Sequence, residues 1–320
     1  MSNGVYSGEI LFVKSVKDGI PNRDPLNESD ARRIFGEEDG RISLSDVSVK
    51  RDVRDYVLAR YPNGGENRDR FIFVREEKNE KGKLLGRGSL AKQIAEQVGY
   101  KEKNMEALLK QAAFDVRAFG AVYSVSKESF KLTGPVQFGW AHSLHPVETK
   151  YVQGTVVMPS KDIKVEDGVE QGKGQGTIWT TYTLPFAVFA MPGVINASIA
   201  EESGMTAEDV DLLLESLWRG TQHRQARGRG TQQPLFLLHV EYRDPFFRIG
   251  YLEDRITLYP EREAWLTGEK PTSLSDVTLD VAALGELIAE YSDRIHRARL
   301  WVHPSLNVQG DVKAEVQPLW

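Results

Sequence analysis

Phe114-Asp115-Val116-Arg117-Ala118-Phe119-Gly120-Ala121-Val122-Tyr123 is the stretch on which the reading of the fold turns. Phe114, Val116 and Ala118 fall on one side of an extended chain, with Arg117 and Phe119 on the other. That alternation predicts a strand. Downstream, Phe130 to Phe138 predicts another strand, Lys161 to Gly176 a Gly- and acid-rich loop, and Thr177 to Met191 a return to β structure, with Pro185 marking an edge or bend. Upstream, short helices are predicted near Ser89–Val98 (Leu90, Ile94, Val98) and Asn104–Ala113 (Met105, Leu108, Leu109, Ala112). Before them, Tyr61 to Gly88 is polar and glycine-rich, with one strand candidate at Phe71 to Val74. This region interrupts the strand–helix rhythm and reads as an insertion.

At the N-terminal side, Ile10 to Val16 predicts a buried strand, and Pro21-Asn22-Arg23-Asp24-Pro25 a turn in which helix is forbidden. Ser43 or Ser45 caps a helix to about Arg60, with Val49, Val53, Tyr56 and Val57 in one apolar stripe and Lys50, Arg51 and Arg54 on another side. Thr206-x-x-Asp209 opens an amphipathic helix with Val210, Leu213, Leu214, Leu217 and Trp218 on its apolar face, and Gly220 ends it. Leu235 to Tyr242 and Ile256 to Tyr259 are further strand candidates. Val281, Leu284, Ile288, Tyr291, Ile295 and Ala298 mark a final long helix, and the tail after Pro304 carries no core signal. The expected fold is an α+β sheet with helices on one face and the other face open to a ligand.

The 320 residues, 40% hydrophobic and 27% charged, provide for a sizeable core. There is no cysteine, which excludes thiolate zinc sites and a cysteine nucleophile. No apolar run reaches the roughly 18 residues of a membrane span, and Met1 to Glu9 lacks the pattern of a signal peptide, so the expected location is cytoplasmic. The formal net charge of −5 argues mildly against nucleic acid, but binding depends on local patches, because salt screens beyond about 10 Å.

Catalytic signatures are missing: there is no phosphate loop, no nucleophile elbow and no H-E-x-x-H helix. Gly86-Arg87-Gly88 and Gly172-Lys173-Gly174 lack a strand–helix setting. His142 and His145 have a spacing that could suit a metal, with only Glu148 nearby, and surface or strand-end histidines are far commoner. Asp24 and Asp46 read as turn-forming and dipole-stabilising residues. The informative stretch is Ser216 to Val240, with Arg219, Arg224, Arg227 and Arg229 and no acidic residue. Arginine forks match phosphate oxygens, and Gly228 and Gly230 would let a ligand approach the backbone. The competing reading is a solvated charged loop. For Lys50, Arg51 and Arg54 it is a surface helix bridged to Asp52 and Asp55. The stretch from Arg117 to Tyr123 partly echoes the RNA-recognition-motif strand, with two positions failing.

In order along the chain, the Pro-Asn-Arg-Asp-Pro turn, Ser45-Asp46-Val47-x-x-Lys50-Arg51-x-x-Arg54-Asp55-Tyr56, Asp115-Val116-Arg117-x-Phe119-Gly120-Ala121, Leu132-Thr133-Gly134-Pro135-Val136-Gln137-Phe138, Ser143-Leu144-His145, Leu213-Leu214-Glu215-x-Leu217-Trp218-x-Gly220-Thr221 and Val240-Glu241-Tyr242 resemble one family. It is the backbone subunit of type I CRISPR surveillance complexes (Cascade), with the type I-B branch nearest, within the repeat-associated mysterious protein superfamily. The resemblance covers roughly residues 8 to 260.

It implies an RNA-recognition-like (ferredoxin-like) palm at 1–60, 114–195 and 235–305, a fingers insertion at 61–113, a thumb at 196–234 and a tail at 306–320. It implies a non-catalytic subunit whose copies line up along a CRISPR guide RNA, which pairs with target DNA, beside other Cascade subunits, with no cofactor and no membrane. Carried over by position, the RNA-binding residues are Asn22, Arg23, Lys50, Arg51, Arg54, Arg117, Gln137, Arg224, Arg227, Arg229 and Gln232. In this turn Ile20 and Arg23 replace the family's first Asn and its Gly. The alternative is a metal-dependent target-RNA endoribonuclease of the related type III branch, using Asp24. A third reading is an assembly subunit without RNA contact.

Overall fold

A computed structural model describes the chain except residues 1–3, 28–29, 126–127, 157–163, 167–168, 172–177 and 268–269, and except the side chains of 164–166 and 169–171. The chain opens with β1 (Gly8–Lys17), β2 (Ser43–Leu44) and α1 (Asp46–Arg60), followed by α2 (Arg87–Val98) and α3 (Met105–Ala112). Next come α4 (Phe114–Phe119), the hairpin β3 (Gly120–Val125) and β4 (Glu128–Thr133), then β5 (Val136–Phe138) and β6 (Ala141–Ser143). The antiparallel pair β7 (Lys150–Thr155) and β10 (Ile178–Thr183) flanks β8 (Lys164–Glu166) and β9 (Val169–Gln171). Parts of the Lys161–Gly176 loop, and all of Gly172-Lys173-Gly174, lie outside the described residues. The chain goes on through β11 (Phe186–Ile195), α5 (Ala197–Ser203), α6 (Ala207–His223) and β12 (Thr231–Tyr242). It continues with β13 (Thr257–Tyr259), α7 (Arg262–Leu266), β14 (Thr278–Asp280), α8 (Ala282–Glu290), β15 (Ile295–Val302), β16 (Asn307–Gln309) and β17 (Glu315–Val316).

The main sheet runs β17-β15-β12-β1-β11-β6-β2, with β5 also on β11. β1 sits at its centre, antiparallel to β11 and β12. Ile10, Phe12 and Val16 enter one core with Val49, Val53 and Val57 of α1 and Leu213, Leu214 and Leu217 of α6. Leu11 and Val13 enter another, with Leu284 and Ile288 of α8 and Trp265 of α7. Both faces are therefore covered, and the expected open face is not there. A strand buried on both sides carries a continuous apolar run instead of an alternating one, which is how Ile10 to Val13 reads. A third core joins Phe71, Phe73, Leu90, Ile94, Leu108 and Leu109 to Tyr123 and Leu132.

Several local expectations hold. The α1 stripe is buried, and Thr206 and Asp209 form a reciprocal capping box at the start of α6. Others fail for physical reasons. Phe114–Phe119 is helical, and only from Gly120 is the chain a strand. All six residues of α4 are buried, so alternation there separates nothing. The carboxylate of Asp115 accepts N–H bonds from Phe73 (2.8 Å) and Val74 (3.0 Å), a tertiary tether that local propensity cannot show. Gly134-Pro135 divides the expected Phe130–Phe138 strand in two. The predicted long C-terminal helix ends at Glu290, and Ile295–Val302 is a sheet strand paired with β12. The tail is tied down: β16 pairs with β14, β17 with β15, and Trp320 stacks on Trp301 with centroids 5.0 Å apart.

Gly220 does not end α6, which continues to His223. A Cβ there would stand 2.5 Å from the carbonyl oxygen of Asp52, so this glycine lets α6 lie against α1. Gly220→Ala is expected to destabilise the protein by about 1–3 kcal/mol through overpacking. Urea denaturation checks this, and an unchanged midpoint would refute the close helix contact.

Candidate functional site

The turn after β1, the start of α1, residues 74–76 and the segment 224–229 surround a cleft of about 880 Å³. Each wall brings arginine: Arg23 and Arg32 from the N-terminal loop, Arg51 and Arg54 from α1, Arg75 from the 74–76 wall, and Arg224, Arg227 and Arg229 from the segment before β12. Against these eight stand two lining carboxylates, Asp46 and Glu76. In a chain of net charge −5 the distribution outweighs the sum.

Behind the cleft is a buried charge cluster. Asp52 of α1 is fully buried and accepts from Lys14 Nζ (3.1 Å), Arg224 Nη1 (2.9 Å) and Arg229 Nη2 (2.7 Å). Lys14 shares the parity of Ile10 and Phe12 on β1, which aims it at α1. Burial pulls its ammonium down, Asp52 opposes this, and the neighbouring Arg229 and Arg224 add to the lowering, which leaves it at about 8. Burial likewise lowers Arg229. Asp55 adds a second carboxylate 3.5 Å from Arg224, so three cations share two carboxylates. Arg54 donates to the buried Asp115 at 2.9 Å and lies over the Phe119 ring, which fixes α1 against the 73–74 wall.

The structure separates the predicted site residues. Asn22, Arg23, Arg51, Arg54, Arg224, Arg227 and Arg229 line the cleft. Arg51 is exposed and paired with Asp55, while Arg227 is exposed and stacked 4.4 Å over Trp179. Lys50, Arg117, Gln137 and Gln232 do not line it. Lys50 bridges to Asp46 at 2.8 Å. Exposed Gln137 donates to the Gly134 carbonyl. Gln232 is buried, accepting from Arg229. Arg117 is buried and saturated: it grips Asp209 with two bonds of 2.8 Å and donates to the carbonyls of Lys110, Gln111 and Asp69. Its place is in packing α4 to α6. Gly228 and Gly230, both left-handed, admit protein neighbours: the Arg23 guanidinium in one case, and the backbone of Lys17 and Gly19 in the other.

Sequence reasoning missed Arg32, Arg75 and Trp140. The Arg32-Arg33 pair after the turn was an available signal. Arg33 turns away to the carbonyls of Gly40 and Val147, while Arg32 faces the cleft. Among the described residues six buried side-chain polar atoms have no partner, and three are donors on cleft residues: Asn22 Nδ2, Arg32 Nε and Arg229 Nε. Unsatisfied buried donors are costly.

The histidine pair holds no metal-like arrangement. His145 stacks on Trp265 at 3.3 Å, its Nδ1 meets the Pro146 carbonyl and its Nε2 accepts from Val188 N, while burial lowers it to about 4. His142 bonds to the Ser43 hydroxyl through Nδ1. The Asp24 carboxylate accepts the Leu26 N–H, closing the turn. No trio of His, Asp or Glu among the described residues is placed to hold a metal, and none of their helices is long and apolar enough to cross a membrane.

The fold and the cleft define a class: a mixed α+β protein with an arginine-walled groove, chemically suited to phosphate oxygens. Within it the chain belongs to the CRISPR-associated protein Cas7 family, whose family model matches residues 6–282. It is 26% identical over 332 residues to the CRISPR-associated protein Cas7 of Haloferax volcanii, covering 96% of this chain and 88% of that one. Its fold is similar to a chain of a solved CRISPR RNA-guided surveillance complex, pre-nicking, with a TM-score of 0.54, 14% identity, and coverage of 95% and 96% of the two chains.

Proposed function

We propose that this protein is a guide-RNA-binding backbone subunit of a CRISPR surveillance complex, of the type I-B branch, cytoplasmic and without catalytic activity of its own. The observation that carries the reading is the cleft walled by eight arginines against two carboxylates. It offers several phosphate contacts from different walls, which suits a strand held by its backbone. Family membership supports the rest of the reading: copies aligned along the guide, partner subunits beside them, and target DNA recruited by pairing with the guide. The RNA-contacting set is Asn22, Arg23, Arg51, Arg54, Arg224 and Arg227, joined by Arg32 and Arg75. The palm is 1–60, 114–195 and 235–305, with 61–113 as fingers and 196–234 as thumb; the core around Leu90 and Leu108 is apart from the two main cores but also takes in Tyr123 and Leu132.

The test is an Arg51→Ala/Arg227→Ala variant, chosen because both side chains are exposed. RNA affinity is expected to fall at least about tenfold and the salt slope to weaken by about 1–2. The unfolding free energy should stay within about 0.5 kcal/mol of wild type. Filter binding across a salt series, with protein purified from cells expressing a guide array, reads the first two. Wild-type protein free of RNA at low salt would sink the proposal. Metal-dependent cutting of target RNA, lost in Asp24→Ala, would replace it with the nuclease reading.

A further inference from the structure

The tail divides at Val312. Up to that residue it is anchored. β16 runs beside β14, the Gln309 carbonyl accepts the Val281 N–H at 2.8 Å, and Val312 enters the core that holds Leu284 and Ile288 of α8. Gly285 of α8 permits this seat, because a Cβ there would run into the Asp311 carbonyl oxygen. Beyond Val312 no residue is buried. Residues 313–320 form a light strap that crosses the edge of the main sheet to its other face, where Trp320 meets Trp301 and Trp218.

The ground under the strap is apolar and firmly built: Trp218, Trp301 and Leu214 are all buried in the core beneath α6. The strap itself holds on by little. β17 pairs with only two of the eight residues of β15, Glu315 with Arg299 and Val316 with Leu300. One further bond runs from Gln317 N to the Leu300 carbonyl at 2.8 Å. Val316 is 74% exposed, and Leu319 and Trp320 are about two-fifths exposed, at 41% and 39%. A cavity of about 300 Å³ is lined both by Gln317, Leu319 and Trp320 of the strap and by Leu214, Arg299 and Trp301 of the body. Close-packed interiors leave few gaps of that size.

We propose that this groove is an exchange site, which receives residues 313–320 of a second copy of this chain in place of its own. The groove already selects that segment, with Glu315 in register with Arg299 and Trp320 stacked on Trp301, and every copy carries the same one. Exchange keeps each of these contacts and so costs little. The closed strap has to turn from the α8 face to the α6 face within eight residues of its anchor. A strap arriving from another copy is free of that turn and fills the cavity more closely. The hinge is Lys313-Ala314, the two residues between buried Val312 and β17. The inference goes beyond the alignment of copies on a guide, because this link needs no RNA and the groove shares no residue with the arginine cleft.

The chain has no cysteine, which allows a clean trap. Val316 and Leu300 face each other across β17 and β15, and neighbouring strands lie within disulfide reach. One full-length copy carries Val316→Cys and another Leu300→Cys, and the two are mixed free of nucleic acid and oxidised. A disulfide between the two different copies is expected, and it should be lost when the Val316→Cys copy also carries Trp320→Ala. Like-with-like disulfides alone, no disulfide, or a mixed one that survives Trp320→Ala overturns the inference. Leu300 is a core residue, so a second readout spares it: sedimentation of RNA-free wild type and Trp320→Ala over a concentration series. Wild type should self-associate, while Trp320→Ala stays monomeric with an unchanged far-ultraviolet circular dichroism spectrum. Equal sedimentation of the two proteins also sinks the exchange. Either failure leaves the cleft reading intact, since that reading is tested by RNA affinity and neither of these measurements contains RNA.

Discussion

Replacing Asp52 with alanine is expected to destabilise the protein by about 3–5 kcal/mol, enough to unfold a marginally stable domain. The carboxylate is fully buried, and it is the shared partner of Lys14, Arg224 and Arg229. Without it, two almost fully buried cations and one largely buried cation face one another, with only the half-buried Asp55, 3.5 Å from Arg224, as a counter-charge. Like charges at such range repel strongly where the local dielectric is low. The loss would be non-additive: a second change, Lys14→Met, removes one of the stranded cations and should restore part of the stability. Urea denaturation of the single and double variants reads this directly. An Asp52→Ala protein within about 1 kcal/mol of wild type would mean that the cluster is solvated and does not hold α1 to β1 and the 224–229 segment.

Lys14 adds a pH signature with a definite sign. Its folded-state value of about 8 lies below the 10.5 of the unfolded chain. Between those limits the unfolded state holds more protons than the folded one, so the contribution of Lys14 to stability rises as pH rises from about 8 to about 10.5. Below about 8 both states are protonated and that contribution is flat. The stability of wild type relative to Lys14→Met should therefore increase between about pH 7.5 and about pH 9.5. A difference that is constant across that range would refute it.

Arg117→Ala is expected to cost a similar amount, about 3–5 kcal/mol. The guanidinium is buried and makes five hydrogen bonds, two to Asp209 and one each to the carbonyls of Lys110, Gln111 and Asp69. Truncation leaves three carbonyl oxygens and a carboxylate short of donors. Asp209 also closes the capping box of α6, so the damage reaches the start of that helix. Arg117→Lys should recover only part of the loss, because an ammonium cannot span the same fork of acceptors. Thermal unfolding measures this. Were Arg117 a phosphate contact, as its place in the sequence implied, the variant would fold normally and bind RNA more weakly.

The comparison between sequence and structure follows the range of the forces involved. The sequence alone determined the central strand around Ile10–Val13, the stripe of α1, the capping box of α6 and the resemblance to a CRISPR backbone subunit. Each of these is written in near neighbours or in an ordered set of short motifs. Of the seven predicted residues that line the cleft, Arg224, Arg227 and Arg229 stand in a locally visible run of arginines without acids, while Asn22, Arg23, Arg51 and Arg54 came from the resemblance. Only the tertiary structure decided that Phe114–Phe119 is helical, where tethers from Asp115 to Phe73 and Val74 override the alternation. It also decided that Ile295–Val302 is a strand, where pairing with β12 overrides a helix-like spacing. It decided as well which arginines are available. Arg117 and Arg229 look as free in the sequence as Arg51 and Arg227, yet carboxylates far along the chain, Asp209 and Asp52, draw the first pair inside. Arg32, Arg75 and Trp140 carry no shared local pattern, and only folding brings them to one cleft. A charge is read from one residue, but its burial depends on partners that the chain meets only after it has folded.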